Sequence, residues 1–200
     1  MATPLGATDL LKALRTEGVS VTEHAGWENH NRNHKGPWGP VNGVTIHHTA
    51  GRDSMALCWA GTVALPGPLC HTHLAKNGTA TMMSAGRSNH AGMFAQNAYD
   101  AAVSESSVHP RPDAAAPVDG NAHFYGIEIE NLGNGSDPYP AGQYDQAVRW
   151  AAAICRAHGW SERSVAGHKE VQPGKVDPSF NMNAFRAAVA ARLAHAPGWN

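Results

Sequence analysis

Val44-Thr45-Ile46-His47-His48-Thr49-Ala50-Gly51 is a β-branched, apolar run that ends in two histidines and is closed by a glycine. Such a run predicts a buried strand that carries a nitrogen ligand to the rim of a sheet. Successive side chains on a strand leave opposite faces, so His47 and His48 cannot serve one ion in the same way. One is expected to be a ligand, and the other to pack or hydrogen-bond.

On the N-terminal side, Thr8 is placed to cap a cover helix over about residues 9–17, with Leu10, Leu11 and Leu14 on one face and Gly18 as its stop. Val19 to Glu23 alternates as an edge strand does. Glu28 to Pro40 is a polar, Gly/Pro-rich loop. Its Asn29, His30, Asn31, Asn33 and His34 suggest a His/Asn nuclease site, but acidic metal ligands and a basic surface are both missing, which favours a solvated loop.

On the C-terminal side, a short helix is expected from Ser54 to Gly61, and Asn77-Gly78 predicts a hairpin that pairs Cys70–Lys76 with Thr79–Ser84. His71 and His73 lie two apart on that hairpin. Without a carboxylate or thiolate in register, such a pair packs more often than it binds metal. Ala91 to Ala122 has no sustained period and reads as a surface excursion with a helical turn near residues 100–106. Phe124 to Asn131 is a strand whose Glu128 and Glu130 share one side. Gln143 to His158 is the clearest amphipathic helix, stopped by Gly159, and a last helix covers about residues 183–195. A hairpin followed by strands separated by helices gives an α/β fold, a single domain with a central mixed sheet flanked by helices. Its core spans about residues 19–195 of the 200.

Composition narrows the function classes. Fifteen basic and 16 acidic residues leave a net charge of −1, with no footprint for a nucleic-acid backbone. The 42% hydrophobic and 16% charged content is that of a soluble globular protein. The first residues lack a basic region followed by an apolar one, and no apolar run reaches membrane-spanning length, so a cytosolic product without a membrane partner is expected. Cys58, Cys70 and Cys155 are widely spaced and read as buried thiols. Thirteen histidines are the anomaly, and they point to a metal site.

The residues at strand ends or in tight loops are His47, Glu128, His168, Lys175 and Asp177. A catalytic zinc site takes three protein ligands of N, O or S type and keeps a fourth position for water, a pattern that His47, His168 and Asp177 satisfy. Glu128 has the chemistry of a general base, and Lys175 that of a cation that stabilises an oxyanion.

The stretches IHHTAG around His47, CHTHLAKNGT, NHAG at Asn89 to Gly92, FYGIEIEN around Glu128 and VAGHKEVQPGKVDPS resemble the zinc-dependent N-acetylmuramoyl-L-alanine amidases of the type 2 amidase and peptidoglycan recognition family. The chain looks most like the amidase domains of bacteriophage endolysins that attack actinobacterial hosts. The resemblance implies a single catalytic domain over residues 1–200, a Zn2+ cofactor on His47, His168 and Asp177, and Lys175 on the scissile carbonyl. Many members carry a catalytic Tyr where this chain has Cys70, and the resemblance moves proton transfer to Glu128. It places His90, with Asn89 and His71, along the substrate groove; a loop histidine bonded to backbone is the other reading of His90. The implied reaction is hydrolysis of the amide between N-acetylmuramic acid and L-alanine in peptidoglycan, by a monomer made in the host cytoplasm that acts on the cell wall after release. The alternatives are a non-lytic peptidoglycan-binding module and a bacterial or cytosolic muropeptide amidase.

Overall fold

The computed structural model describes residues 2–199. Helix α1 (Ala7–Thr16) is followed by strands β1 (Val21–Glu23) and β2 (Gly43–His48), helix α2 (Met55–Ala60) and the hairpin β3 (Thr72–Leu74) and β4 (Ala80–Met82). The excursion holds β5 (Met93–Phe94), α3 (Gln96–Val103), β6 (Val118–Asp119) and α4 (Gly120–His123). Strand β7 (Phe124–Ile129), α5 (Ala141–His158), β8 (Val165–Gly167), α6 (His168–Val171) and α7 (Met182–Leu193) complete the chain.

Six strands form one mixed sheet in the order β1-β4-β3-β7-β2-β8, with only β3 and β4 antiparallel. Every residue of β2 is buried, because the strand lies between β7 and β8 and both faces of the sheet are covered. On one face, Val44, Ile46, Tyr125, Ile127, Ile129 and Val165 pack against Leu10 and Leu14 of α1, Trp150 and Ile154 of α5, and Phe185 and Val189 of α7. Each fully buried Val, Ile or Leu there contributes about 1.5–3 kcal/mol. Four alanines of α5, at 147, 151, 152 and 153, let that helix lie close to the strands, and Trp150 Nε1 donates to Thr72 Oγ1 at 2.8 Å. Gly159 stops α5 in the left-handed region at φ 71°.

The opposite face is chemically different. In-register pairing lines up Thr22, Thr81, His73, Glu128 and His47 across five strands. Because Ile46 pairs with Gly167, His168 begins just beyond the end of β8 in the same row. A smaller apolar cluster of Phe94, Ala98, Ala102, Phe124, Ala166 and Val171 covers this face on one side of the row.

Two local expectations change. Helix α1 starts at Ala7, with Gly6 rather than Thr8 at its cap and no side-chain capping bond. The excursion is more ordered than its composition suggests, with α3 at Gln96–Val103 rather than near residues 100–106. Alanines 98, 101 and 102 are buried there, so packing of small side chains creates a helix that gives little periodic signal.

Candidate metal centre

Strand β2 carries His47 into the polar row, and the turn from β8 into α6 carries His168 beside it, with ring centroids 4.4 Å apart. Asp177 arrives from the loop that follows α6. That loop is clamped: Lys169 N donates to Asp177 O at 2.7 Å, and Lys169 Nζ donates to Pro178 O and Phe180 O at 2.5 and 2.8 Å. Helix α6 is itself anchored by Glu170, which accepts from Gly167 N at 2.9 Å and from both terminal nitrogens of Arg186 at 2.7 and 2.9 Å.

One ligand atom from each of His47, His168 and Asp177 falls within 4.8 Å of the others. Asp177 Oδ2 is 3.3 Å from His47 Nδ1 and 3.1 Å from His168 Nδ1. Tetrahedral zinc with bonds of about 2.0–2.1 Å separates its ligands by about 3.3 Å, so the spacing fits such an ion. The proton positions fit as well. The carbonyl of Phe124 can only accept, so His90 Nε2 donates to it at 2.9 Å. His90 Nδ1 then accepts from His47 Nε2 at 3.0 Å, which leaves the Nδ1 lone pair of His47 facing Asp177. On the other ring, His168 Nε2 donates to Gln172 Oε1 at 2.7 Å, and its Nδ1 also faces inward. Three electron-pair donors thus converge with no proton among them, an arrangement that calls for a cation. Burial, then His168, depresses His47 to about 4, which keeps its ring neutral near pH 7. Burial raises Asp177, but the contacts with His168 and His47 outweigh it and hold the carboxyl below its usual range.

His168 and Asp177 of the centre open onto a cleft of about 480 Å³ that is also lined by Leu65, Leu69, Asn89, His90, Glu128, Lys175 and Val176. Glu128 is next to His47 in register. Its Oε2 is buried without a hydrogen-bond partner among the described residues, and burial, then Cys58 and Asp177, pushes its carboxyl well above the usual range against the pull of Lys175. Perturbation of this kind is frequent among groups that move protons. Lys175 is exposed, and its ammonium makes no hydrogen bond or ion pair among the described residues. It also borders a neighbouring cavity of about 580 Å³ with Arg111 and Lys169.

His47 and His48 divide as strand alternation requires: His48 Nδ1 lies 2.9 Å from Tyr139 Oη, and His48 borders the cleft without joining the three-residue cluster. Asn89 and His90 line the cleft. His90 is largely buried, and its ring sits over Gly126, where a Cβ would lie 2.3 Å from His90 Nδ1. His71 departs from the expectation of a groove residue. It is fully buried, does not border the cleft, and its Nδ1 accepts from Gly126 N at 2.9 Å, so it supports the strand. Cys70 is buried too, and its thiol is pushed up by burial and by Cys58, which keeps it neutral. Three supporting residues were not singled out from sequence: Gln172, Lys169 and Asn121, whose Oδ1 accepts from His90 N and Ala91 N at 2.8 Å each. Only Gln172 had a legible signal, four residues after His168 on a helical turn.

Residues 37–180 match the family model described as N-acetylmuramoyl-L-alanine amidase. No curated protein matches the sequence significantly. Among solved structures, a selenomethionine derivative of AmpD aligns with a TM-score of 0.59 at 18% identity, over 85% of this chain and 94% of that one. An endolysin N-acetylmuramoyl-L-alanine amidase, LysCS from Clostridium intestinale, aligns with a TM-score of 0.56 at 15% identity, over 84% and 93%. The amidase AmiD from E. coli, in complex with the substrate anhydro-N-acetylmuramic acid-L-Ala-D-γ-Glu-L-Lys, aligns with a TM-score of 0.54 at 17% identity, over 77% and 59%. These likenesses establish a shared fold, and the span of the family match establishes descent: the chain belongs to the N-acetylmuramoyl-L-alanine amidase family.

Proposed function

We propose that this chain is a zinc-dependent amidase that hydrolyses the bond between the lactyl carbonyl of N-acetylmuramic acid and L-alanine in peptidoglycan, and that it serves as a phage endolysin. The observation that carries this reading is the convergence of His47 Nδ1, His168 Nδ1 and Asp177 Oδ2 beside a cleft that His168, Asp177, Glu128 and Lys175 line. When bound there, zinc supplies Lewis acidity that acidifies water and polarises a carbonyl. Glu128 takes the proton of the attacking water and returns it to the departing alanine nitrogen, a double role suited to a carboxyl with a raised pKa. Lys175 holds the oxyanion as the tetrahedral centre forms. Leu65, Leu69 and Val176 give the cleft apolar walls, and Asn89 offers an amide to the sugar or peptide.

Likeness to endolysins supports the lytic role, in which a monomer made in the host cytoplasm reaches the wall after release. The substrate complex of the structurally similar AmiD favours a second reading of the biology, turnover of soluble muropeptides. Zinc analysis of the wild-type chain and of His168→Ala, paired with release of N-terminal alanine from purified walls, tests the enzyme. Zinc and alanine release in the wild type, both lost in the variant, are expected; a wild type with neither would leave at most a binding module. Faster turnover of intact sacculi than of soluble anhydromuropeptides would support the lysin, and the reverse would refute it.

A further inference from the structure

The polar row continues past Glu128, away from the metal centre. His73 on β3 pairs in register with Glu128 just as His47 does from the other side. In-register neighbours leave the same face of a sheet with Cα atoms about 5 Å apart. His73 is 2% exposed. Its Nε2 is occupied, 2.9 Å from Ser54 Oγ and 3.8 Å from Glu130 Oε2. Its Nδ1 is buried and without a partner among the described residues, and so is Glu128 Oε2. Buried polar atoms are rarely left unpaired, and one water bridging the two would satisfy both.

We propose that His73 is the positioning residue of Glu128: its Nδ1–H donates across one water to Glu128 Oε2, while the Ser54 hydroxyl holds the ring by Nε2. This rests on Glu128 being the general base. With Oε2 fixed inward, Oε1 is the oxygen that takes the proton from water and returns it to the leaving nitrogen. Ser54 supports the tautomer by donating its hydroxyl proton to Nε2. Among the described residues Ser54 makes no other side-chain bond, since it precedes α2 without capping it.

The test is muropeptide turnover by zinc-loaded protein carrying His73→Phe, His73→Asn or Ser54→Ala, each alone and with Glu128→Gln. His73→Phe is expected to lower kcat by about 10–100-fold, the scale of a misplaced catalytic group, with KM and zinc content unchanged. His73→Asn, whose amide N–H stands near the Nδ1 position, should recover most of that loss, and Ser54→Ala should lower kcat several-fold. In the Glu128→Gln background none of the three should cost more than about twofold, because the group they position is gone. Losses that multiply with Glu128→Gln, or a kcat within twofold of wild type in His73→Phe, would overturn the proposal. If His73→Phe fails to fold, His73→Asn and Ser54→Ala decide the matter by the same non-additivity. A wild type without turnover would sink the amidase reading itself, and this inference with it.

Discussion

His90→Ala tests how the fold prepares the metal centre. The ring makes two bonds, to His47 Nε2 at 3.0 Å and to Phe124 O at 2.9 Å. The second fixes the direction of the first, so that His47 keeps its proton on Nε2. Without His90, neutral His47 can carry the proton on Nδ1, where it meets Asp177 Oδ2 at 3.3 Å. A hydrogen bond to a carboxylate is worth about 1.5–3 kcal/mol, and a metal must break it before it can bind. The expected loss is therefore about 10–100-fold in zinc affinity, or about 1.4–2.8 kcal/mol at 1.4 kcal/mol per tenfold. Competition against a fluorescent zinc chelator at pH 7.5 measures it, with circular dichroism as the control for folding. Gln172→Ala should act in the same way through His168, whereas His48→Ala should leave zinc affinity within twofold of wild type. A folded His90→Ala protein with wild-type zinc affinity would refute the tautomer reasoning.

Glu128→Gln is expected to lower kcat/KM by about 10²–10⁴-fold while zinc content, read by atomic absorption, stays at the wild-type level. Arg186→Ala leaves Glu170 without its paired guanidinium and should destabilise the protein by about 3–5 kcal/mol in urea unfolding; a loss under 1 kcal/mol would show that the clamp on α6 lies elsewhere. Stability of the zinc-free protein should fall on acidification. Burial holds His71 at about 3 and His73 at about 4 in the fold, below the unfolded value of about 6.5. The unfolded chain therefore binds more protons in that window, and each ring removes about 1.4 kcal/mol per pH unit below 6.5 until its folded pKa is reached. Urea midpoints at pH 7.5, 6.0 and 5.0 in chelator should drop in that order, and a flat profile would contradict the burial of neutral rings.

The elements legible in the sequence are those whose signal is local. Strand β2 follows from its β-branched run, the β3–β4 hairpin from Asn77-Gly78, and α5 from its period and Gly159. The excursion between residues 91 and 122 was not legible, because α3 is set by alanines packed against Phe94 and Phe124. The link from His90 to His47 was hidden for a related reason. Its partners are a side chain 43 residues away and a carbonyl 34 residues away, separations over which no spacing rule operates. His71 misled as a groove residue because a motif shows which residues are neighbours in sequence but not which are covered.

The sequence alone determined the inventory of the site. Strand alternation separates His47 from His48 and puts Glu128 and Glu130 on one side, and His168, Lys175 and Asp177 have the chemistry of ligands and of an oxyanion partner. Those facts follow from covalent geometry and residue type, which tertiary contacts do not alter. Only the tertiary structure decided that Thr22, Thr81, His73, Glu128, His47 and His168 form one row, and that a chain of hydrogen bonds ending on the Phe124 carbonyl aims a lone pair of His47 inward. Register between strands distant in sequence, and the burial that leaves a carbonyl as the last acceptor, exist only once the chain has closed on itself.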